Sequence, residues 1–157
     1  MSALQIATAL ASQPWFDGLH DPDKTTALIE PYHDPVGYPT QGYGRLLSTV
    51  IFEPLDKYPA ITVAQAYADL TQDIARSQKF VRAYIDVDLN DNQEAALIDF
   101  AFNCGPANLK ISTLRKVINR GDLDQAPKQL MRWVFAKGQR LNGLVRRRQA
   151  EADLWVV

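Results

Sequence analysis

Asp34 and Thr40 lie six positions apart in the segment Tyr32-His33-Asp34-Pro35-Val36-Gly37-Tyr38-Pro39-Thr40-Gln41-Gly42-Tyr43-Gly44. Pro35 and Pro39 lack backbone donors, and with Gly37 between them the segment cannot be helical. Tyr38, Thr40 and Tyr43 favour extended backbone. The pattern predicts a tight hairpin that presents Asp34 and Thr40 near its bend. A carboxylate and a hydroxyl held there by a glycine-rich turn can together fix one water molecule. An ordinary aspartate turn with an exposed threonine satisfies the same spacing, so the spacing alone leaves both readings open.

The elements that must position these groups are mostly helices. Residues 3–12 form a short apolar helix that ends before Pro14. Asp21 reads as a helix N-cap with Pro22 at the first position, opening a short turn through about Leu28. The hairpin region fills residues 30–50, with Leu46, Leu47, Val50, Ile51 and Phe52 packing beyond it. Thr62 caps a long helix over about 63–82, whose apolar residues Val63, Tyr67, Leu70, Ile74 and Val81 recur at helical spacing. Asn90 caps the next helix, near 91–104. Ala95, Leu97, Ile98, Phe100, Ala101 and Phe102 cover much of its surface, so it is expected at the centre of the helical part. Helices near 112–119, 124–135 and 143–155 follow, with Pro127 in a first turn where its missing donor is tolerated. Trp133 and Trp155 are expected to anchor the core, and Cys104, the single cysteine, to be a small buried residue rather than a nucleophile.

The pattern Y-x-D-P-V-G-x-x-T-x-G-Y-G resembles the signature hairpin of the phage-type lysozymes, the endolysins of glycoside hydrolase family 24. Asn92-Gln93, Ala96-Leu97, Phe100-Ala101-Phe102-Asn103 and Gly105 resemble that family's N-Q-x-x-A-L-x-x-F-x-F-N-x-G helix. Ser112-Thr113-Leu114-Arg115, Asn119-Arg120-Gly121-Asp122, Arg132-Trp133-Val134 and Gly143-Leu144-Val145-Arg146-Arg147-Arg148 follow in the family's order. The resemblance covers roughly residues 28–155. It implies an α+β, mainly α, lysozyme-like fold in a single domain, residues 1–157. A small β-hairpin lobe (about 13–60) and a larger helical lobe (about 83–157 with 1–12) would be joined by the long helix at about 63–82.

The resemblance also implies an activity. It is that of a muramidase hydrolysing the β-1,4 bond between N-acetylmuramic acid and N-acetylglucosamine in bacterial peptidoglycan, for host cell lysis. Asp34 and Thr40 would hold the water that attacks the far face of the sugar, giving inversion. Phe102 and Asn103 would line the cleft and contact sugar, as would Tyr32; core packing explains Phe102 equally well. An arginine of the 146–148 run, Arg146 or Arg147, would pair with the catalytic carboxylate, the alternative being that most of these arginines are solvated. No cofactor is implied. His33 reads as an exposed hairpin residue and His20 as a loop residue, too far apart to form a zinc site.

The chain departs from the family at the acid that should protonate the leaving oxygen. The family places a Glu, in F-E-G, nine residues before the Asp, and here that position is Thr25. Three readings stay open. Phe16-Asp17-Gly18 matches F-E-G with Asp17 for Glu, followed by an eight-residue insertion, 19–26. Glu30 shares a strand face with Tyr32 and Asp34, but at roughly 3.3 Å per residue its Cα would lie about 13 Å from that of Asp34, beyond the roughly 6.5–9.5 Å of an inverting pair unless the strand bends. Or Thr25 replaces the acid. A hydroxyl is far too weak an acid for the task, and the chain would then bind peptidoglycan without cleaving it.

Composition sets outer bounds. The 157 residues suffice for one domain with a real core, and 46% hydrophobic with 22% charged residues is ordinary for a globular protein. One cysteine cannot make an internal disulfide, which agrees with a reducing compartment. No export signal is visible, and no apolar run of about 18 residues predicts a membrane span. The resemblance therefore implies a monomer that waits in the host cytoplasm and reaches the wall after a holin opens the inner membrane. The net charge of −1 conceals an asymmetry. Residues 1–109 carry 6 basic and 14 acidic side chains, whereas residues 110–148 carry 11 basic and 2 acidic. A basic C-terminal half suits an anionic polymer. Bacterial wall is favoured over nucleic acid because no zinc, RNP or helix-turn-helix signature accompanies the charge; mutual neutralisation of the two halves is the plain alternative.

Overall fold

The computed structural model describes residues 1–16, 22, 23 and 25–156. In chain order the elements are α1 (Ala3–Ala11), β1 (Leu28–Ile29), β2 (Tyr32–His33), β3 (Pro39–Gln41), β4 (Arg45–Leu46), β5 (Ile61–Thr62) and α2 (Val63–Tyr84). They continue as α3 (Asp91–Cys104), α4 (Pro106–Ile111), α5 (Thr113–Asn119), a 3-10 turn (Leu123–Gln125), α6 (Ala126–Leu130), β6 (Phe135–Ala136), β7 (Gln139–Arg140) and α7 (Asn142–Trp155). The fold is α+β and mainly helical. It divides into two compact units, one of Met1–Trp15 with Ile74–Val157 and one of Phe16–Asp73, and the division falls inside α2.

The helical unit is built around α3. Asn90 caps it, accepting from Gln93 N at 2.9 Å while the Gln93 side chain returns a bond to the Asn90 N–H. Ala95, Ala96, Leu97, Ile98, Phe100 and Ala101 are all at most 1% exposed. A helix apolar around its whole circumference must be covered on every side. α1 covers one side with its small face of Ala3, Ala7 and Ala11, whose short side chains let two helices approach closely. α7 covers another, and Trp133 meets Phe100 edge to face at 5.2 Å. Trp155 is buried and donates through Nε1 to Leu123 O at 2.6 Å.

One sequence expectation fails here, and one element was not foreseen. The helix expected over 124–135 stops at Leu130. Val134 and Phe135 are strand formers, and Lys137 and Gly138 take φ of 50° and 74°, so residues 135–140 form a hairpin with a two-residue loop. A further helix, α4, opens with Pro106 directly after Gly105.

In the hairpin unit β1 pairs with β5, and β2, β3 and β4 form a three-stranded antiparallel sheet. Tyr32 lies opposite Thr40 and Gln41 opposite Arg45. Strands of two or three residues cannot hold themselves, and polar side chains make up the difference. Buried Gln41 donates to Ile29 O at 3.3 Å and Pro59 O at 2.8 Å. Arg45 binds Asp73 through Nε and Nη2, both at 3.0 Å, and Asp69 through Nη1 at 3.0 Å, tying β4 to α2.

The expected helical turn after Pro22 is instead a tight loop closed by Asp23, whose Oδ1 accepts from Thr25 N at 2.8 Å and Thr26 N at 2.9 Å. Asp21 lies outside the described residues. The packing expected of Leu46, Val50, Ile51 and Phe52 is also corrected, since all four are at least 40% exposed. Phe52 still caps the bend: a Cβ on Gly37 would lie 2.7 Å from its ring, and Gly37 has φ of 104°.

Candidate functional site

Asp34 organises the bend that carries it. Its Oδ1 accepts three backbone N–H bonds, from Val36 at 2.9 Å and from Gly37 and Tyr38 at 2.8 Å each. Among the described residues Oδ2 takes no hydrogen bond, and the side chain is half-buried. Thr40 is buried and donates through Oγ1 to Tyr38 O at 2.8 Å, which leaves its lone pairs as acceptors. The backbone of Tyr38 therefore holds both groups, its N–H on the carboxylate and its C=O on the hydroxyl. The hairpin brings Asp34 and Thr40 together through one residue.

Tyr32 stands opposite Thr40 and donates from its phenol to Gly42 O at 3.1 Å. His33 is not the exposed residue expected. It is half-buried, its Nε2 lies 2.9 Å from Glu53 O, and its ring meets Phe52 edge to face at 5.7 Å. Glu30, between β1 and β2, is exposed and has no hydrogen-bond partner among the described residues. Thr25 is exposed in the loop that Asp23 closes. Asp17 and His20 lie outside the described residues.

The remaining candidates belong to the helical unit. Phe102 and Asn103 are half-buried on the last turn of α3. The Arg147 guanidinium lies over two rings, Phe102 at 5.6 Å and Trp15 at 5.8 Å. Arg146 is exposed, and its Nη2 donates to Trp15 O at 2.7 Å. The alternative reading, that most of the arginines at 146–148 are solvated, does not hold. Arg147 is 5% exposed and Arg148 0%, because two carboxylates in the core receive them. Arg147 makes a two-pronged bond to Asp99, 2.8 Å from Nε and 2.6 Å from Nη2. Arg148 donates to Glu151 Oε1 at 2.5 Å and to Cys104 Sγ at 2.8 Å.

The electrostatics of this cluster divide the two acids. Burial works to raise the Asp99 carboxyl, but the charge and hydrogen bonds of Arg147 prevail and hold it below the ordinary value of 3.8. Burial pushes Glu151 well above its ordinary 4.5; Arg148 opposes the rise and the charge of Asp99 adds to it. Glu151 Oε2 and Arg148 Nε, both buried, have no hydrogen-bond partner among the described residues. Burial also raises the Cys104 thiol, against the pull of Arg148, which suits an inert residue.

The sequence reading missed Asp99 and Glu151. A signal existed: Asp99 interrupts the apolar run Ala95–Phe102, and a carboxylate there must find a cation. The i, i+3 spacing of Arg148 and Glu151 supplied the second pair.

The family model for phage lysozyme matches residues 26–151. A relative named SAR-endolysin, from Bacteriophage PS119, is 35% identical over 156 residues, covering 98% of this chain and 87% of that protein. The solved structure of an endolysin from Escherichia coli O157:H7 phage FAHEc1 superposes with a TM-score of 0.70 at 27% identity, covering 98% of this chain and 90% of that one. The muramidase domain of SpmX from Asticaccaulis excentricus gives 0.71 at 23% identity, covering 99% and 95%, a likeness of fold. Among the described residues no helix is long and apolar enough to cross a membrane. The match that begins at residue 26 and runs through the hairpin to α7 places this chain in the phage lysozyme family, glycoside hydrolases that lyse peptidoglycan.

Proposed function

We propose that the chain is a monomeric muramidase that hydrolyses the β-1,4 bond between N-acetylmuramic acid and N-acetylglucosamine, with Asp34 and Thr40 orienting the attacking water. The observation that carries this reading is the shared anchorage of both groups on Tyr38. With Oδ1 occupied by three N–H groups, the water-facing acceptor of Asp34 is Oδ2. With its proton given to Tyr38 O, Thr40 can only accept. A water between them donates one hydrogen to each and turns its own lone pair outward, toward an anomeric carbon. The carboxylate then takes the proton as the bond forms, and attack from this side inverts the sugar.

Asp17 is proposed as the acid that protonates the leaving oxygen. Glu30 is exposed, and a donor is helped by burial to keep its proton at working pH. The residue two before Asp17 in the chain, Trp15, is held by Arg146 at its carbonyl and lies beside Arg147 at its ring. Phe102 and Asn103 are proposed to contact sugar, as is Tyr32.

Clearing of permeabilised cells tests the assignment. Asp34→Asn should lower lysis by roughly 100-fold or more, with the melting temperature within a few degrees, because the amide oxygen can still accept the three N–H bonds. Asp17→Ala should abolish lysis and Glu30→Gln leave it nearly unchanged. Near-normal lysis by Asp34→Asn would remove this hairpin from the chemistry. Inactive wild type that gains lysis on Thr25→Glu would replace the reading with a peptidoglycan-binding protein lacking its acid.

Delivery after a holin opens the inner membrane is the route proposed from the family resemblance. The SAR-endolysin name of the relatives favours secretion instead. Fractionation of holin-deficient host cells decides between them, and protein found in the periplasm would overturn the holin route.

A further inference from the structure

The hairpin formed by β6 and β7 presents an aromatic ring and a guanidinium on one outward face. Leu141 N donates to Val134 O at 3.0 Å, extending the ribbon by one pair, and Val134 is 5% exposed, so that pair faces the core. Side chains alternate along a strand, so the next pair faces out. That pair is Phe135 opposite Arg140; Phe135 is 60% exposed and Arg140 is exposed. Directly opposed residues have Cβ atoms about 4.5–5.5 Å apart. The positive φ angles of Lys137 and Gly138 make a turn whose twist matches that of the ribbon, which holds the pair in place.

The stretch of chain that carries the ribbon is rich in basic residues. Residues 125–150 contain seven basic side chains and no acid. Arg147 and Arg148 are buried and bonded to Asp99 and Glu151, so they lie off the exposed surface. Lys128, Arg132 and Arg140 are exposed and make no ion pair among the described residues.

We propose that the outward face of the β6–β7 ribbon is a binding site for the anionic glycan–peptide strand of peptidoglycan. Phe135 lies against the apolar face of a sugar ring, and the Arg140 fork takes a free carboxylate of the stem peptide that the strand carries. This rests on peptidoglycan being the substrate. Single-stranded nucleic acid also pairs rings with cations, but its binders track a backbone with successive aromatic platforms. One ring beside one guanidinium matches one sugar with the acid of the peptide attached to it.

Co-sedimentation of the full chain with purified sacculi tests the site. Every protein carries Asp34→Asn, so binding is read whether or not the wild type cleaves. Phe135→Ala and Arg140→Ala should each weaken binding by roughly tenfold with unchanged melting temperature. Phe135→Trp should retain binding, and Arg140→Lys should fail to restore it, because an ammonium lacks the fork. Sacculi whose stem-peptide carboxylates have been converted to amides test the partner of Arg140: they should bind about as weakly as Arg140→Ala binds untreated sacculi, and undiminished binding overturns the carboxylate assignment. Co-sedimentation unchanged by both alanine variants overturns the site. So does a single-stranded oligonucleotide that binds the protein more tightly than sacculi do and loses that binding in the same two variants.

Discussion

Each unit of this protein depends on an aspartate, and the two aspartates are used in opposite ways. Asp34 in the hairpin unit is half-buried and gathers three backbone N–H groups on one oxygen, leaving Oδ2 without a partner among the described residues. Asp99 in the helical unit is 0% exposed and has both oxygens closed by the fork of Arg147. The first arrangement shapes a loop and keeps an acceptor for a ligand. The second fixes an arginine inside a core, away from any ligand. What the second oxygen of a carboxylate does, more than its degree of burial, separates a group available to chemistry from one that has been built into the fold.

Removing the closed carboxylate should produce the largest effect. Asp99→Ala leaves Arg147 buried without its partner, which should cost about 3–5 kcal/mol in urea unfolding. A loss below about 1 kcal/mol would mean that Arg147 finds another partner and that the contrast between the units is overstated. In the hairpin unit the bend itself is the sensitive point. Gly37→Ala adds a Cβ at φ of 104°, 2.7 Å from the Phe52 ring, and should cost about 1–3 kcal/mol. Adding Ile51→Ala and Phe52→Ala together, which removes both side chains that the new Cβ would meet, should recover part of that loss; no recovery would assign the cost to the backbone.

The smallest effect concerns the proton on Glu151. Its folded carboxyl titrates well above the ordinary 4.5. Below 4.5 both folded and unfolded chains hold the proton. As pH rises beyond that value the unfolded chain releases it while the folded chain retains it, so stability declines through the window up to the folded value. Glu151→Gln has no proton to release. Its stability relative to wild type should therefore grow with pH above 4.5, measured by unfolding at a series of pH values. A difference that stays flat between about pH 5 and 8 would show Glu151 ionised in the core.

Helices announced themselves where caps and apolar spacing agreed. Asn90 with Gln93 marked the start of α3, and Thr62, which accepts from Gln65 N at 3.1 Å, marked that of α2. The hairpin was legible from Pro35, Gly37 and Pro39, which exclude a helix, and from the strand formers around them. The β6–β7 ribbon was not, because Lys137-Gly138 is a weaker turn signal than Asn-Gly or Asp-Gly, and Ala126–Leu130 before it reads as the start of a longer helix. Asp34 and Thr40 could be picked out as a pair, but nothing in their spacing reveals that Tyr38 holds both. The charges of Arg147 and Arg148 were visible, whereas their burial was not, since that depends on Asp99 nearly fifty residues away in sequence.

Arg45 closes several of its donors on Asp69 and Asp73, and the pull of Asp73, the largest influence, raises its own already high basicity. A guanidinium keeps its charge at every pH a bacterial envelope reaches. An imidazole in that position would switch between about pH 5 and 8, and the anchoring of β4 would loosen and tighten with it. With arginine the cationic side of the clamp does not register envelope acidity. Ionic strength is then the medium's lever on this anchor near neutral pH, and a weak one, because the aspartates it grips are mostly shielded from solvent.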